Sequence, residues 1–525
     1  MENREESICI IGAGISGLLA CKYAVSKGFS PVVFESSSSI GGVWTKTIGT
    51  TKLQTPKPLF QFSDFPWSSS VDTDIPTSHQ VLDYIESYAK HFDLYPYIRF
   101  NTKVLSLRFE TPDENAQSSW NLWGGSGEPF SNNGTWVVTA QDTESGSTEI
   151  IRFKFVILCV GRFSGEPNIP EFPAGKGPEA FQGKVIHSMD YSNMDDAAAA
   201  GFIKGKSVAV VGFQKSAVDI AMECSTANGL DHPCTVLYRT KRWSIPDFFP
   251  WGIPLVFLYL NRFSELLVHK PNEGFLLSLL AALLSPLRWL ISKFVESYIK
   301  NKLRLSKFGM VPEHSFLNEM NSCLIFIVPE DFYNRVENGS INLKNAPSFV
   351  FCKKGILIQN HKNLEEEELV EADAVILCTG FRGIHKLKHI FESAIFQHYI
   401  AGANAAAVPL YRECIHPRIP QLAVIGFSES FSNLYTSEIR SRWVAELLHG
   451  TFEIPSIHDM ERDIAAWDNF KKKYSGKYYR RSCIGALHTW YNDQLCKDMG
   501  WNPRRKNGYI ADMFLPYGPL DYTTN

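Results

Sequence analysis

Several common functional signatures are absent from this sequence. It has 11 cysteines, but no two of them form a CxxC pair, so neither a metal site nor a disulfide framework is indicated, and we expect a reducing compartment. The net charge is only −3, which gives no reason to expect nucleic-acid binding. The first strand-like run starts near residue 7, and this leaves no room for a cleavable signal or transit peptide. These absences favour a cytoplasmic location.

A long uninterrupted hydrophobic run is also lacking. Residues 275–284 are strongly apolar and apolar residues resume over 287–291, but Ser285, Pro286 and Arg288 interrupt the run. A transmembrane helix needs about 20 mostly apolar residues. We therefore expect either a buried helix or a peripheral helix on a membrane surface, such as the cytosolic face of the endoplasmic reticulum.

The overall composition is that of a globular enzyme with more than one domain. The chain has 525 residues, of which 44% are hydrophobic and 20% are charged. This length exceeds what a single core normally serves, so two or three domains are expected. Aromatic residues make up 13% of the chain, which suits large apolar pockets.

The most informative stretch begins almost at the first residue. Residues 8–11 form a short apolar run typical of a buried parallel strand, and Gly12, Gly14 and Gly17 follow with dinucleotide-binding spacing. In such a turn the first glycine allows the tight bend, the second lets a pyrophosphate approach the backbone, and the third allows close helix–strand packing. A second apolar run ends in Glu35, an acid placed to bind a ribose diol. The unit predicts a nucleotide site.

A second glycine pair follows this acid. Gly41 and Gly42 precede Val43 and Trp44, and in flavoproteins with two dinucleotide-binding domains such a pair packs against FAD. Gly42 and Trp44 are therefore candidate FAD-binding residues, and an ordinary surface loop is the alternative.

A degraded copy of the glycine turn occurs near the middle of the chain. The strand-like residues 207–211 lead into Gly212, but Gln214 replaces the middle glycine and Ala217 the last one. The last position tolerates alanine, whereas a glutamine at the middle position must point away from the pyrophosphate or contact it. Ser216 in the same turn is a candidate both for cofactor binding and for catalysis.

Basic residues stand where the first unit has its acid. The strand expected over Cys234–Tyr238 ends in Arg239, and Lys241 and Arg242 follow. A basic residue at this place accommodates a 2′-phosphate, so the second nucleotide is expected to be NADP rather than NAD. A solvated basic turn is the alternative.

Two further apolar runs ending in glycine flank the second unit and indicate how the chain is divided. They cover residues 155–161 and 374–381, and Thr379 and Gly380 in the second run are candidate cofactor-binding residues. We predict an α/β fold with two Rossmann-like dinucleotide-binding domains. The FAD-binding domain would start with residues 1–163 and be completed by 381–525, and the NADP-binding domain would cover 164–380 with a helical insertion at about 243–330.

One segment between the two glycine turns identifies a family. Phe181, Gly183, His187 and Tyr191 match the pattern FxGxxxHxxx(Y/F), and on this basis the chain resembles the flavin-containing monooxygenases. Tyrosine at the last position is unlike the Baeyer–Villiger branch, which has tryptophan there. Shorter segments, such as HPRIP at 416–420 and SEIRSRW at 437–443, are similar to a plant clade that includes a pipecolate N-hydroxylase.

The resemblance implies a reaction cycle whose difficult chemistry belongs to the flavin. NADPH reduces FAD, reduced FAD reacts with O2 to give a C4a-hydroperoxide, and a nucleophilic heteroatom takes the distal oxygen atom. The favoured reaction is N-hydroxylation of a small amine or amino acid. S-oxygenation of a thioether and oxidative decarboxylation of an α-keto acid, as in auxin formation, are alternatives, and a partner-binding protein without flavin function is a further one.

Two positions depart from the family pattern. Many members have an asparagine near the flavin, and spacing to the segment 62–66 places Gln54 there as the second catalytic candidate beside Ser216. Gln214 is the other departure. Together they leave open how long the peroxide survives and how tightly the nicotinamide cofactor binds.

Remaining expectations concern local structure. We predict a helix over Ser437–Leu447 capped by Ser437, with Asn433 and Ser437 as neighbours of the flavin, and a structural role for His187. Residues 111–134 are expected to form a long loop, and the acidic run 365–368 is expected to form a hairpin turn.

Overall fold

The computed structural model describes residues 7–111, 129–130, 134–359, 367–402 and 408–523, with Ala486 described by its backbone only. Most of the loop predicted over 111–134 lies outside the described residues, as do Glu365 and Glu366. The described strands, in chain order, are β1 (Ile8–Ile11), β2 (Val32–Phe34), β3 (Ile98–Arg99), β4 (Thr102–Glu110), β5 (Thr135–Asp142), β6 (Thr148–Phe153), β7 (Phe155–Leu158), β8 (Lys184–His187), β9 (Val208–Val211), β10 (Cys234–Tyr238), β11 (Ser244–Ile245), β12 (Phe326–Ile327), β13 (Ile341–Asn345), β14 (Ser348–Cys352), β15 (Gly355–Gln359), β16 (Glu367–Glu371), β17 (Ala374–Leu377) and β18 (Leu422–Val424).

The helices alternate with these strands in the first part of each sheet and dominate the C-terminal third of the chain. In chain order they are α1 (Ile15–Ser26), α2 (Ser78–His91), α3 (Ser188–Ser192), α4 (Asp196–Ile203), α5 (Lys215–Asn228), α6 (Leu255–Tyr259), α7 (Arg262–Leu266), α8 (Phe275–Lys302), α9 (Phe316–Asn321), α10 (Phe332–Asn338), α11 (Gly383–His389), α12 (Ala394–Ala401), α13 (Asn433–Leu448), α14 (Ile457–Ser475), α15 (His488–Asp498) and α16 (Tyr509–Phe514).

The first parallel sheet has the strand order β18–β7–β1–β2–β3. Ile10 is aligned with Val33 on one side and with Ile157 on the other, and β1 and β7 are buried along their whole length. Helices α1, α2 and α13 contribute to the core on this sheet. Because β18 follows the second sheet in sequence, the chain returns to complete the first one.

The second parallel sheet has the order β13–β10–β9–β17–β8. Val210 is aligned with Val236 and with Ile376, which places β9 between β10 and β17 just as β1 lies between β2 and β7. The central strands β1, β7, β9 and β17 are buried along their whole length, which explains why they are continuous apolar runs in the sequence. The α/β class predicted from the sequence is confirmed, whereas the domain limits stay a prediction.

Two three-stranded antiparallel sheets accompany the parallel ones, β4–β5–β6 and β14–β15–β16. The prediction of a turn over the acidic run is wrong for Glu367 and Glu368, which lie in β16. Glu368 is aligned with Ile358, and its carboxylate pairs with Lys344. An edge strand can carry charged side chains on its solvent side, so the acids at Glu367 and Glu368 do not prevent pairing.

The segment 243–330 contains α6 to α9 together with the short strand pair β11–β12. Ser285, Pro286 and Arg288 interrupt the apolar run in the sequence, but α8 runs without a break through all three. Pro286 is exposed on this helix. Within the described part of the chain, α8 is the one helix whose length and composition would allow it to cross a membrane, and only 17% of its most apolar window is buried. The buried alternative is thereby excluded.

Ser437 does not cap a helix as predicted. Helix α13 begins four residues earlier, at Asn433, and Ser437 lies inside it, where its carbonyl oxygen accepts the Ser441 hydroxyl. The Asn433 side chain accepts the backbone N–H of Ser430 and closes the turn that precedes the helix. The residue at the N-cap position is Ser432, whose side chain makes no capping hydrogen bond, so the helix starts without the side-chain cap that was predicted at Ser437.

The cysteines are not all unpaired, contrary to the expectation from their spacing. Cys323, which follows α9, forms a disulfide with Cys483, which precedes α15. The two lie 160 residues apart, so no local spacing signals the pair. The bond joins the 243–330 segment to the C-terminal helices.

We expect this disulfide to contribute to thermal stability. A reductant should lower the melting temperature of the wild-type protein by several degrees, because the link closes a long loop and restricts the unfolded chain. The double variant Cys323→Ala/Cys483→Ala should melt at the reduced wild-type temperature with or without reductant. If alkylation without reductant labels both thiols in the native protein, the pairing is incorrect.

Candidate functional site

The turn after β1 brings Gly12 against the adjacent strand. Its φ of +103° favours glycine, and its N–H donates to the Phe34 carbonyl at 2.8 Å. A Cβ at this position would lie 2.6 Å from the carbonyl oxygen of Cys159, which follows β7. The tight turn therefore requires the missing side chain.

Gly14 and Gly17 have different roles in the same turn. A Cβ on Gly17 would lie 1.8 Å from the Gly12 carbonyl oxygen, so this glycine lets α1 start against the strand. At Gly14 the nearest atom to such a Cβ is 3.6 Å away, on Gly42, and φ is −74°. The protein itself would tolerate a side chain at Gly14. The space in front of it, at the amide groups that open α1, fits the pyrophosphate of a dinucleotide.

The second glycine pair forms the other side of this space. The N–H of Gly41 donates to the Ala13 carbonyl at 3.1 Å, and Gly42 opens a short 3₁₀-helix over Gly42–Lys46. Trp44 lies half-buried in that helix, with its ring centre 5.9 Å from that of Phe60. Gly42 thus adjoins Gly14, as a role at the same cofactor requires.

The Glu35 carboxylate is buried and holds the turn together. It accepts the backbone N–H of Ala13 at 2.8 Å and that of Ser37 at 2.9 Å. Oε1 also accepts the Ser36 hydroxyl at 3.3 Å, so Oε2 is the oxygen that retains a lone pair for a ribose hydroxyl. The ribose role remains a prediction.

A lysine that the sequence did not single out lies near Glu35. Lys386 in α11 donates to the Ser164 hydroxyl at 3.0 Å. Burial lowers its pKa to about 8, against the opposing effect of the Glu35 charge. The only sequence signal is the basic character of α11, which follows the apolar run that ends near Gly380.

Two helix N-termini meet at the first glycine turn. The Ser16 hydroxyl in α1 lies 3.4 Å from the Ser437 hydroxyl in α13, and Asn433 is exposed at the start of α13. Both helices direct the positive ends of their dipoles to this region. An anionic cofactor is favoured there on electrostatic grounds.

Gln54 lies in a segment that is tied to both parallel sheets. The Thr51 hydroxyl donates to Asp219 of α5 at 2.7 Å, and the Thr55 hydroxyl donates to the Phe431 carbonyl, just before α13, at 2.9 Å. Gln54 itself is exposed between these two anchors. It is therefore held between the first glycine turn and the second nucleotide unit.

The second turn repeats the geometry of the first. Gly212 has a φ of +135°, its N–H donates to the Leu237 carbonyl at 2.9 Å, and a Cβ would lie 2.5 Å from the Cys378 carbonyl oxygen. These contacts correspond to those of Gly12 with Phe34 and Cys159.

The substitutions that weaken the second glycine motif in the sequence are accommodated structurally. Ala217 is buried where Gly17 stands in the first turn, while Gln214 and Ser216 are exposed at the start of α5. The Gln214 side chain makes no capping hydrogen bond to its own helix. Gln214 therefore occupies the place that Gly14 leaves bare.

Arg239 is the exposed member of the basic group after β10. Arg242 is half-buried and pairs with Glu319 at 3.5 Å, and Lys241 is half-buried as well. Arg239 thus follows β10 at the position that Glu35 has after β2.

Thr379 and Gly380 follow β17 at the same edge of the sheet as Gly212. The Asn168 side chain donates to the Thr379 carbonyl at 3.1 Å, and the Asn168 backbone N–H donates to the Gly380 carbonyl at 2.9 Å. Gly380 has a φ of +86° with open space where a Cβ would stand. Its conformation, rather than a close neighbour, favours glycine.

His187 closes β8 and caps the short helix α3. Its Nδ1 accepts the Met189 N–H at 3.1 Å, its own N–H donates to Asp190 at 3.0 Å, and burial lowers its pKa. The ring is 2% exposed. These contacts are those of a structural residue.

The chain is similar to known proteins over nearly its whole length. The family model described as "Flavin-binding monooxygenase-like" matches residues 5–512. A probable flavin-containing monooxygenase 1 from Arabidopsis thaliana is 41% identical over 98% of this chain and 96% of its own. Human flavin-containing monooxygenase 1 is 26% identical over 97% of this chain and 86% of its own.

Solved structures share the fold at low sequence identity. A steroid monooxygenase bound to NADP superimposes with a TM-score of 0.64 at 17% identity, covering 94% of this chain and 98% of that one. An S-allyl-L-cysteine S-oxygenase from Allium sativum gives 0.57 at 17% identity, covering 95% and 89%.

The different roles of Gly14 and Gly17 can be separated experimentally. We expect Gly14→Ala to fold with an unchanged melting temperature as apoprotein but to bind FAD at least roughly tenfold more weakly, equivalent to about 1.4 kcal/mol. Gly17→Ala should destabilise the apoprotein itself, because its Cβ would overlap the Gly12 carbonyl. Flavin absorbance per protein and thermal unfolding of the apoproteins measure the two effects. Normal flavin content in Gly14→Ala would contradict the assignment.

The fold, the two glycine turns and the similarity to known proteins indicate the same family. Two parallel sheets carry equivalent glycine turns at the carboxyl ends of β1 and β9, the family model covers 5–512, and a plant relative is 41% identical over almost the full length. The prediction of two dinucleotide-binding domains that use FAD and NADPH is confirmed, and so is the resemblance to plant members. The chain belongs to the flavin-binding monooxygenase-like family and is an NADPH-dependent oxidoreductase.

Proposed function

We propose that the protein transfers one oxygen atom of O2 to the nitrogen of a small amine or amino acid. One NADPH and one proton are consumed, the second oxygen atom leaves as water, and the amine becomes its N-hydroxy product. Bound FAD supplies the redox chemistry, so no acid–base or nucleophilic constellation is required of the protein. The observation that carries the proposal is the pair of equivalent glycine turns with the segment around Gln54 held between them.

The residues of this chain would bind the two cofactors and position them. Gly14, Gly42 and the backbone N–H groups at the starts of α1 and α13 would hold the FAD phosphates, and Glu35 would accept a hydrogen bond from a ribose hydroxyl. Gly212, Gln214 and Ser216, together with Thr379 and Gly380, would hold NADPH. Gln54 would offer its amide to the cofactors, and Ser216 would add a hydroxyl at the start of α5. A close-fitting site there would exclude water and limit wasteful release of hydrogen peroxide.

S-oxygenation of a thioether uses the same machinery and is the alternative that the test must separate. Oxidative decarboxylation of an α-keto acid is a further alternative. A relative that shares 25% identity is named a dimethylaniline monooxygenase that forms N-oxides, which supports nitrogen as the acceptor. We also propose a cytoplasmic location in which the 243–330 insertion makes peripheral contact with a membrane.

The substrate class is tested by aerobic NADPH oxidation with cyclic amines, amino acids, thioethers and α-keto acids. We expect amines or amino acids to give products one oxygen atom heavier, identified by mass spectrometry. Product must be compared with peroxide, since unproductive turnover also consumes NADPH. Oxygenation of the thioethers alone would exclude the N-oxygenase proposal, and a colourless protein that does not bind FAD would exclude any flavin function.

The Gln54 variants refine the same assay. Gln54→Ala should raise the hydrogen peroxide released per NADPH oxidised. Gln54→Asn retains the amide and should release less peroxide than Gln54→Ala. Lys52→Ala is the matched control, an exposed neighbour two residues away. Equal peroxide release by all three variants would mean that Gln54 does not contact the reacting cofactor.

Arg239 is expected to select NADPH over NADH. Arg239→Ala should raise the KM for NADPH roughly tenfold and leave the KM for NADH unchanged, because a charge-assisted hydrogen bond to the 2′-phosphate contributes about 1.5–3 kcal/mol. Lys204→Ala removes an equal charge just before β9, at the opposite edge of the sheet, and should change neither. An unchanged preference in Arg239→Ala would place the 2′-phosphate elsewhere.

A further inference from the structure

The disulfide between Cys323 and Cys483 does not match the compartment that the sequence indicates. Disulfides are rare in the cytosol, where reduced thiol pools keep cysteines unlinked, and those that do form there are usually transient or redox-sensing. The nine other cysteines, all of them in the described part of the chain, form no disulfide, and seven of them are buried. One linked pair among many unlinked thiols indicates a reversible bond rather than a disulfide framework.

The backbone brings the two sulfur atoms together independently of the bond. The loop 482–484 pairs with Glu429 through two backbone hydrogen bonds of 2.8 and 2.9 Å. In the next residue, Gly485, φ is +46°, and a Cβ would lie 2.6 Å from the Met320 carbonyl oxygen in α9. The loop is thereby held against the end of α9, two residues before Cys323. The two cysteines therefore remain neighbours when the bond between them is reduced.

Each sulfur atom also has a hydrogen-bond acceptor that only a thiol can use. Cys323 Sγ lies 3.5 Å from the Glu429 carbonyl oxygen, and Cys483 Sγ lies 3.7 Å from the Met320 carbonyl oxygen. A disulfide sulfur has no hydrogen to donate, whereas a thiol S–H is a weak donor. The reduced pair therefore gains two hydrogen bonds at these positions, and the fold accommodates both redox states.

The two cysteines differ in access and in surroundings. Cys483 is 0% exposed, whereas Cys323 is half-buried and has a φ of +50°, which is uncommon for a residue other than glycine. Arg480 donates to the Cys323 carbonyl at 3.5 Å, and both Arg480 and Arg162 pair with Glu429, at 3.0 and 3.4 Å. Arginines beside an accessible thiol favour its thiolate, the form that reacts with peroxide. Cys323 is thus suited to react first, and Cys483 is suited to capture the product.

The pair is connected to the segment that carries Gln54. Glu429, which binds the loop 482–484, is two residues before Phe431. The Phe431 carbonyl accepts the Thr55 hydroxyl at 2.9 Å, and Thr55 is adjacent to Gln54. The disulfide ties this stretch of backbone to the end of α9, whereas the reduced pair leaves only non-covalent contacts there. Its redox state can therefore change how firmly the Gln54 segment is held.

We propose that Cys323 and Cys483 form a peroxide-responsive switch, in which oxidation closes the disulfide and fixes the segment that carries Gln54. The Cys323 thiolate attacks one oxygen atom of hydrogen peroxide, the O–O bond breaks, and hydroxide leaves, so the sulfur becomes a sulfenic acid. The Cys483 thiol then attacks this sulfur, the S–O bond breaks, and the oxygen leaves as water. Two thiols and one hydrogen peroxide thus give one disulfide and two water molecules. Reduced glutathione reverses the reaction by thiol–disulfide exchange.

The oxidant is a product that the enzyme itself can release. Turnover without oxygen transfer yields hydrogen peroxide, so this source rests on the proposed function. Peroxide closes the disulfide, the disulfide holds the Gln54 segment, and a firmly held site releases less peroxide. The pair therefore acts as a negative feedback on wasteful turnover.

Thiol mapping on the full-length flavoprotein tests the chemistry without substrate or NADPH. The protein is reduced with dithiothreitol, freed of it, treated with increasing hydrogen peroxide, and mapped by alkylation and mass spectrometry. We expect the Cys323–Cys483 bond to close before the half-buried Cys352 thiol is modified, and excess reduced glutathione to reopen it. Cys483→Ser should accumulate a sulfenic acid at Cys323, which dimedone traps, whereas Cys323→Ser should leave Cys483 as a thiol. Cys352→Ser is the matched control and should behave like the wild type.

Two results would overturn the cysteine assignment. Glutathione could fail to reopen the bond, which would make it a purely structural disulfide, or dimedone could label Cys483 instead of Cys323. Either result is obtained whether or not the protein oxidises NADPH, so failure of the switch is distinguishable from failure of the proposed oxygenation.

Peroxide release per NADPH oxidised tests the consequence of the switch. The reduced wild type should release roughly twofold more peroxide than the oxidised wild type, because a change within a network that couples two sites has effects of this size. Cys323→Ser should match the reduced wild type whether or not it has been treated with peroxide, and Cys352→Ser should respond as the wild type does. Equal release by the reduced and the oxidised wild type would exclude the connection to Gln54.

Discussion

The structure depends on two glycines, each of which lies in close contact with a neighbouring strand. Gly12 and Gly212 each lie against a carbonyl oxygen of the next strand, 2.6 and 2.5 Å from where a Cβ would stand, and both have a positive φ. Because of this contact, the chain can turn sharply at the end of each strand and continue as a helix whose first amide groups are accessible. The two nucleotide sites follow from that single steric condition, applied twice.

The differences between the two turns give them different partners. In the first turn, the Glu35 carboxylate accepts the Ala13 N–H. Because Gly14 has no side chain, the backbone of this turn is accessible to a ligand. In the second, Gln214 stands in the place of Gly14 and Arg239 in the place of Glu35, both exposed. The two turns therefore share one backbone geometry but present different side chains to a dinucleotide.

Much of this architecture could be predicted from the sequence, because the relevant signals are local. The strand over Cys234–Tyr238 was predicted with its observed limits, since an apolar run bounded by polar residues leaves little freedom. The start of α13 was misplaced because Ser437 carries a local capping signal, whereas the helix begins after Ser432, whose side chain makes no capping hydrogen bond. Pro286 interrupts the apolar run in the sequence, yet α8 continues through it, because the residues on both sides of it are helical and part of the helix packs on the protein. The disulfide between Cys323 and Cys483 and the approach of Lys386 to Glu35 depend on contacts across 160 and 351 residues, which no pattern in one sequence encodes.

Residues 51–55 are held in place at the site although they form no helix and contain no glycine. The Thr51 hydroxyl donates to Asp219. Burial raises the pKa of Asp219 against the opposing effects of Lys215 and Thr51, so these two partners stabilise the charged carboxylate. Thr55 is bonded to the chain just before α13. A change in the relative position of the two nucleotide units would have to break one of these bonds. These two hydrogen bonds therefore fix the position of the segment that carries Gln54. The Gln54 side chain is one methylene longer than asparagine, and the extra length must be accommodated at this fixed position.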